Sequence, residues 1–144
     1  MRVRKQKTPT VFGPPERISI DPSARIQPDN ILNTISGRIE IGKYAFTGHR
    51  VMILTGAHDH KRFGPARKDF AFEGGHDVII EEGVWIASGA VVIGPCRIGK
   101  HSVVAACSVV TSDVPPYVVV GGNPARILER IPPGESEELK KNRT

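Results

Sequence analysis

The chain has 144 residues, 20 of them Lys or Arg and 15 Asp or Glu, for a net charge of +5. That length suits one domain with a real core. Arg2, Arg4, Lys5 and Lys7 crowd the first seven residues, so the remainder, with 16 Lys and Arg against 15 Asp and Glu, is nearly neutral. The eight aromatics are scattered rather than interleaved with a basic stripe, so no nucleic-acid partner is expected. No run approaches the roughly 18 apolar residues of a spanning helix, and no apolar core follows the basic start as in a signal peptide. The expectation is a cytoplasmic protein without stable membrane insertion. Cys96 and Cys107 are too few for a disulfide framework and are expected reduced and buried.

In chain order, residues 1–17 read as a basic tail. Ile20, Ala24 and Ile26 give a weak first instance of a period of six. A register break follows near Asp29 to Thr34, and the period resumes in Ile35, Ile41, Thr47 and Ile53, with Ile39, Ala45, Val51 and Ala57 four residues after each. Asp59 to Glu73 (DHKRFGPARKDFAFE) is polar, carries Gly64-Pro65 and interrupts the period, so it reads as a 15-residue loop extruded from the repeat. From Ile80 the period is strict: Ile80, Ile86, Val92, Ile98, Val104 and Val110, with Val84, Ala90, Cys96, Ser102, Ser108 and Val114 as the small or β-branched partners. It ends at Pro115-Pro116. An apolar run, Val118 to Val120, and Gly121-Gly122-Asn123-Pro124 follow, and residues 132–144 read as a cap or tail, with a short helix over 135–142.

Helices repeat side chains at about 3.6 residues and strands at 2, so neither gives a period of six. A coil with flat sides does. Each hexapeptide supplies a short strand and a corner, three make a turn, and residues 18 apart stack at about the 4.8 Å strand spacing. The fold expected over residues 18–131 is therefore an all-β parallel β-helix with loop 59–73 outside it. A β-sandwich would need period-2 strands and turn signals every 8 to 12 residues.

His58 ends the hexapeptide headed by Ile53, on a corner just before the loop, where a histidine suits proton transfer. An 18-residue stack puts Glu40 one coil below it. Allowing for a 15-residue insert, Thr55, Ser88 and Ala106 fall in one column of small residues beside it, a groove for a narrow ligand. Asp59, Glu40 or a backbone carbonyl are the candidates to orient the imidazole.

The repeat array, together with ILTGAHD at 53–59, IIEEGVWIASGAVVIGPCRIGKHSVVAACSVVTSDVP at 79–115 and VVVGGNPARIL at 118–128, resembles the hexapeptide-repeat acyltransferases of left-handed parallel β-helix fold. Within them it is most similar to the galactoside, maltose and Nod-factor O-acetyltransferases and the polysaccharide O-acetyltransferases. The resemblance covers roughly residues 35–131. It implies a homotrimer with active sites between adjacent prisms, acetyl-CoA as acyl donor, no metal, and a sugar or glycolipid acceptor in polysaccharide or glycolipid synthesis. His58 matches the family's general base. Ser88 and Ala106 match contacts to the pantetheine arm, Thr111 and Arg126 match residues near the nucleotide end, and Trp85 matches the aromatic lining the acceptor end.

Some positions depart from the pattern. The basic residue expected after the GNP proline falls on Leu128 and Glu129, with Arg130 beyond, and the usual glycines of VWIGS and IGAGS are Ala87 and Ala105. The N-terminal helical segment of the sugar acetyltransferases is not matched. Asn30 and Asn33 are candidates to replace its acceptor contact, with simple turn residues as the alternative.

Other readings are an amino-sugar N-acetyltransferase, a zinc enzyme like the γ-class carbonic anhydrases, and a non-catalytic β-helix scaffold. The zinc enzymes hold two histidines five residues apart, whereas gaps between the five histidines here are 9, 2, 16 and 25. A nucleophilic Cys107 would need a base or helix N-terminus that the sequence does not place beside it.

Overall fold

The computed structural model describes residues 8–133. The segment expected to form a helix over 135–142 lies outside the described residues, as do residues 1–7.

The chain winds into a triangular prism of parallel strands. The first face stacks Thr10–Phe12, Ile31–Asn33, Met52–Leu54, Val91–Ile93 and Val109–Val110. The second stacks Ile18–Ile20, Ile39–Ile41, Val78–Ile80 and Cys96–Ile98. The third stacks Phe46–Thr47, Trp85–Ile86, Val103–Val104 and Val118–Gly122, and Ala125–Arg130 turns back to pair antiparallel with the last of these. Pairing begins at Thr10, ahead of residue 18 where the repeat becomes legible.

Strand alternation explains the core. Leu32, Ile53, Val92 and Val110 align across the first face, Ile39 and Val78 with Ile41, Ile80 and Ile98 across the second, and Ile86, Val104 and Val120 across the third; all point inward and are buried. All twelve strict-period residues from Ile80 to Val114 are buried, as the period of six predicts. At the corners, buried hydroxyls serve the next coil: Ser102 Oγ accepts from Val118 N (3.2 Å) and Ser108 Oγ from Gly122 N (3.1 Å). Among the described residues no buried side-chain polar atom lacks a partner.

The coils are not all of one length. Val91 and Val109 pair across a coil of three hexapeptides, but the coils from Thr10 to Ile31 and from Ile31 to Met52 are each longer by half a hexapeptide, and the one from Met52 to Val91 is more than twice as long. The extra residues lie between the first and second faces, where the path from Ile31 to Ile39 replaces the shorter one from Val91 to Cys96. This corrects three expectations. The first break falls at 34–38 rather than 29–34, and there the coil bulges outward, leaving Ile35 42% exposed while Leu32 takes the inward place. The excursion between Met52 and Val91 exceeds one whole regular coil, so the insert is larger than the expected loop 59–73 alone. Thr55 is buried at the corner between the first and second faces, so it does not share a column with Ser88.

Asn30 is also corrected. It is fully buried, its amide donating to Gly48 O (3.0 Å) and Asp29 Oδ1 (3.3 Å) and its oxygen accepting from Thr47 Oγ1. It fastens one coil to the next and has no free atom for an acceptor.

The two cysteines differ. Cys96 is buried in the prism, and burial, with Asp113 nearby, pushes its thiol up to about 12, whereas Cys107 is exposed at a corner, contrary to expectation. A native chain will therefore titrate with one equivalent of a thiol reagent at neutral pH, and Cys96 will react only on unfolding. A thiol raised in the fold supports stability fully below its unfolded value near 9.0 and loses that support as pH rises toward 12. Denaturant midpoints should fall over that window in the native sequence and fall less in Cys96→Val. For the core, Ile98→Ala should cost about 2–5 kcal/mol in urea unfolding, whereas Arg97→Ala, which removes an exposed ion pair to Glu81 (2.7 Å), should cost about 1 kcal/mol or less.

Candidate active site

The excursion after Leu54 is built on the widened corner. Ser36 Oγ accepts from Ala57 N (3.1 Å), and Arg17 reaches across to donate to Thr34 O, Ile35 O and Glu73 O (3.1, 3.0 and 3.3 Å). The loop leaves through a short stem, with Phe72 N donating to Ala57 O (3.0 Å) and His58 bridged antiparallel to Ala71. Within it sits one helical turn, Pro65–Lys68. Phe70 and Phe72 pack edge to face at 5.3 Å, and the Arg62 guanidinium lies 4.0 Å above the Phe70 ring.

His58 stands at this stem, exposed in part, with Nδ1 2.8 Å from the carbonyl oxygen of Arg67. A carbonyl only accepts, so Nδ1 carries a proton, and in the neutral ring Nε2 keeps its lone pair. Beside the ring lies a shallow, open hollow of about 460 Å3 lined by His58, Gly64, Arg67 and Lys68. A backbone carbonyl is therefore the orienting group. Asp59 is engaged elsewhere: the Lys61 backbone N–H (3.0 Å) holds its carboxyl below the usual carboxylate range, with Arg62 adding to that against the opposing effect of desolvation. Glu40 is paired to Arg38 at 2.7 Å and stacks between Ser19 and Ile79 on the second face. Asn33 is half-buried at the edge of the same corner, its amide against Gly56 and its oxygen accepting from Ile35 N (3.0 Å).

Ser88 and Ala106 lie elsewhere, on the corner between the third and first faces. They form a column with His49, since Gly89 N donates to His49 O and Cys107 N to Ser88 O. Ser88 Oγ accepts from His49 N (2.9 Å), which leaves its own proton free to donate outward. Thr111 and Arg126 come together at the end of the prism, both lining a hollow of about 260 Å3, and the Arg126 guanidinium forms no ion pair among the described residues. Trp85 is on the outer side of the third face, 44% exposed and stacked on Phe46 (5.8 Å, 13° between planes), with Arg25 over the Phe46 ring. The corner that carries His58 is opposite that face, so one chain does not bring His58 and Trp85 together.

Sequence reading misses two partners of these groups. Phe46 is legible as an aromatic, but a strict period of six does not stack it on Trp85; only the true coil length pairs them. The His49 ring, 3.2 Å from Asp29 Oδ2, carries no signal at all, because nothing in the residue types marks the two positions as neighbours across a coil. Among the described residues no three His, Cys, Asp or Glu side chains converge as metal ligands, and no helix is long and apolar enough to cross a membrane.

The model of the bacterial transferase hexapeptide (six repeats) family matches residues 77–112. The galactoside O-acetyltransferase of Lactococcus lactis subsp. lactis (strain IL1403) is 36% identical over 96 residues, 65% of this chain and 44% of that one. A hexapeptide-repeat containing acetyltransferase of Vibrio cholerae O1 biovar eltor, solved in complex with acetyl coenzyme A, superposes with a TM-score of 0.60 at 26% identity, over 90% of this chain and 74% of that one. The maltose O-acetyltransferase of Clostridium difficile 630 gives 0.60 at 28% identity, over 88% and 68%. The chain spans half or less of the length of the curated relatives it matches. The repeats, the three-faced parallel coil and these likenesses together show a left-handed parallel β-helix of hexapeptide repeats, the architecture in which this chain is similar to the hexapeptide-repeat acetyltransferases.

Proposed function

We propose that the protein is an acetyl-CoA-dependent O-acetyltransferase that moves an acetyl group to a sugar hydroxyl, with His58 as general base. The observation that carries this reading is the Arg67 carbonyl on His58 Nδ1, which in the neutral ring leaves Nε2 with a lone pair on a residue that lines an open hollow. The acceptor hydroxyl gives its proton to Nε2 as its oxygen attacks the thioester carbonyl. A C–O bond forms, the C–S bond breaks, and the departing thiolate takes the proton back from the imidazolium. No acyl-enzyme is needed.

The donor lies along the column of Ser88 and Ala106, with Ser88 Oγ as a hydrogen-bond donor to the pantetheine arm and Arg126 and Thr111 at its phosphate end. Trp85 and Asn33 serve the acceptor. His58 and Trp85 lie on opposite sides of one prism, which supports a homotrimer whose sites form between neighbours. The first face carries the apolar surface such packing uses, with Phe12 and Ile93 exposed and Ile31, Met52, Val91 and Val109 half-buried. The chain works in the cytoplasm, in polysaccharide or glycolipid synthesis.

His58→Ala should lower kcat by about 100-fold or more, read as thiol release from acetyl-CoA with a galactoside or maltose as acceptor, while calorimetric binding of acetyl-CoA and the thermal melt stay as in the parent. Retained turnover overturns the assignment, and absence of acetyl-CoA binding by the parent protein leaves the scaffold reading in its place.

A further inference from the structure

We propose that Arg67 is a positioning residue for proton transfer: its guanidinium fastens the loop into an arch, and its own carbonyl, carried on that arch, sets the tautomer of His58. This rests on the reading of His58 as the base.

Around the helical turn itself the loop has little other packing. Its helix is one turn long and buries no side chain, and Phe63 is 77% exposed. Its turn opens at Gly64, whose φ of 59° and ψ of −138° fall where residues with a Cβ are rarely found. The Arg67 and Lys68 amides close back on Gly64 O (3.1 Å each) and Asp69 N on Pro65 O (2.9 Å). So short a helix leaves its last carbonyls without intrahelical donors, and the Arg67 carbonyl is one of these. It is free to accept from an imidazole.

What aims that carbonyl is the side chain of the same residue. Arg67 Nε donates to Arg62 O (2.6 Å), a terminal nitrogen donates to His60 O (2.8 Å), and the guanidinium lies 5.0 Å from the Phe63 ring centre. The planar group thus ties the helical turn to the limb that leaves the stem, spanning two main-chain carbonyls. Lysine, a single point of charge without the fork, does not satisfy both in that geometry. On the facing limb Asp59 restrains Lys61 N and Arg62 (3.0 and 3.3 Å), so the anchor that Arg67 grips is itself held.

The test uses Arg67→Lys and Arg67→Ala in the full chain, with 15N-labelled histidine. In the parent protein the His58 ring should show a protonated Nδ1 and a bare Nε2; in both variants that pattern should give way to the Nε2-protonated or a mixed tautomer, with the thermal melt unchanged. On the sugar that the parent acetylates, kcat should drop by about 10-fold or more with KM for acetyl-CoA unaltered, since a misplacement of about 1 Å can cost up to about 100-fold. An unchanged tautomer in both variants overturns the proposal. So does a changed tautomer with kcat intact, or a rise confined to KM for the acceptor, which would make Arg67 a binding residue. If His58→Ala stays active, the assignment of the base falls, and the ring spectra still decide whether Arg67 sets the tautomer.

Discussion

Each coil can bond to the next only if its strands lie in register, and this constraint governs the molecule. The inward columns on the three faces exist because alternation on a strand, summed over aligned coils, sends the same positions into the prism every time. A solenoid of this kind tolerates extra residues at a corner, where they bulge outward without shifting the strands above and below. It does not tolerate them within a strand, where one residue would turn the inward set outward.

The additions obey that rule. The modest widening in the early coils and the long excursion in the third all occur between the first and second faces, and strand register resumes on either side. Stacked widenings make a ledge. Thr34 and Ser36 are buried within it, Thr55 Oγ1 accepts from Ser36 N at 3.2 Å, and Arg17 ties the coil below to the loop's far end at Glu73. The loop thus departs from a broad, hydrogen-bonded base, with His58 at its root.

How far the sequence is legible follows from the same geometry. From Ile80 onward coils are uniform, so counting in sixes identifies the inward residues of each rung. Before Met52 each coil is half a hexapeptide longer, and counting in sixes drifts: it turns Ile35 inward and stacks Glu40 under His58. His58 itself is legible because its place just before a polar insert needs only local sequence. Its orienting partner is not, since a backbone carbonyl farther along the loop carries no signature in residue type. Asn30 illustrates the opposite failure. An asparagine at a turn reads as available, and only the neighbouring coil, with Thr47 and Gly48, shows that its amide is fully used.

An imidazole on the regular coil would lack what His58 has. Within a rung the main-chain carbonyls are claimed by amides of the adjacent rung, as Ile80 O is by Gly42 N (2.8 Å) and Ser88 O by Cys107 N (3.0 Å). An imidazole lying on such a surface finds side chains to hold it, as His49 finds Asp29, and a carboxylate brings a charge with it. A neutral acceptor must come from backbone that has left the ladder yet is ordered, and a single helical turn supplies one, because its final carbonyls have no amides ahead of them. The excursion therefore does more than cover a cleft. It brings to the edge of a hydrogen-bonded solenoid an uncharged oxygen that engages one ring nitrogen and leaves the other uncommitted.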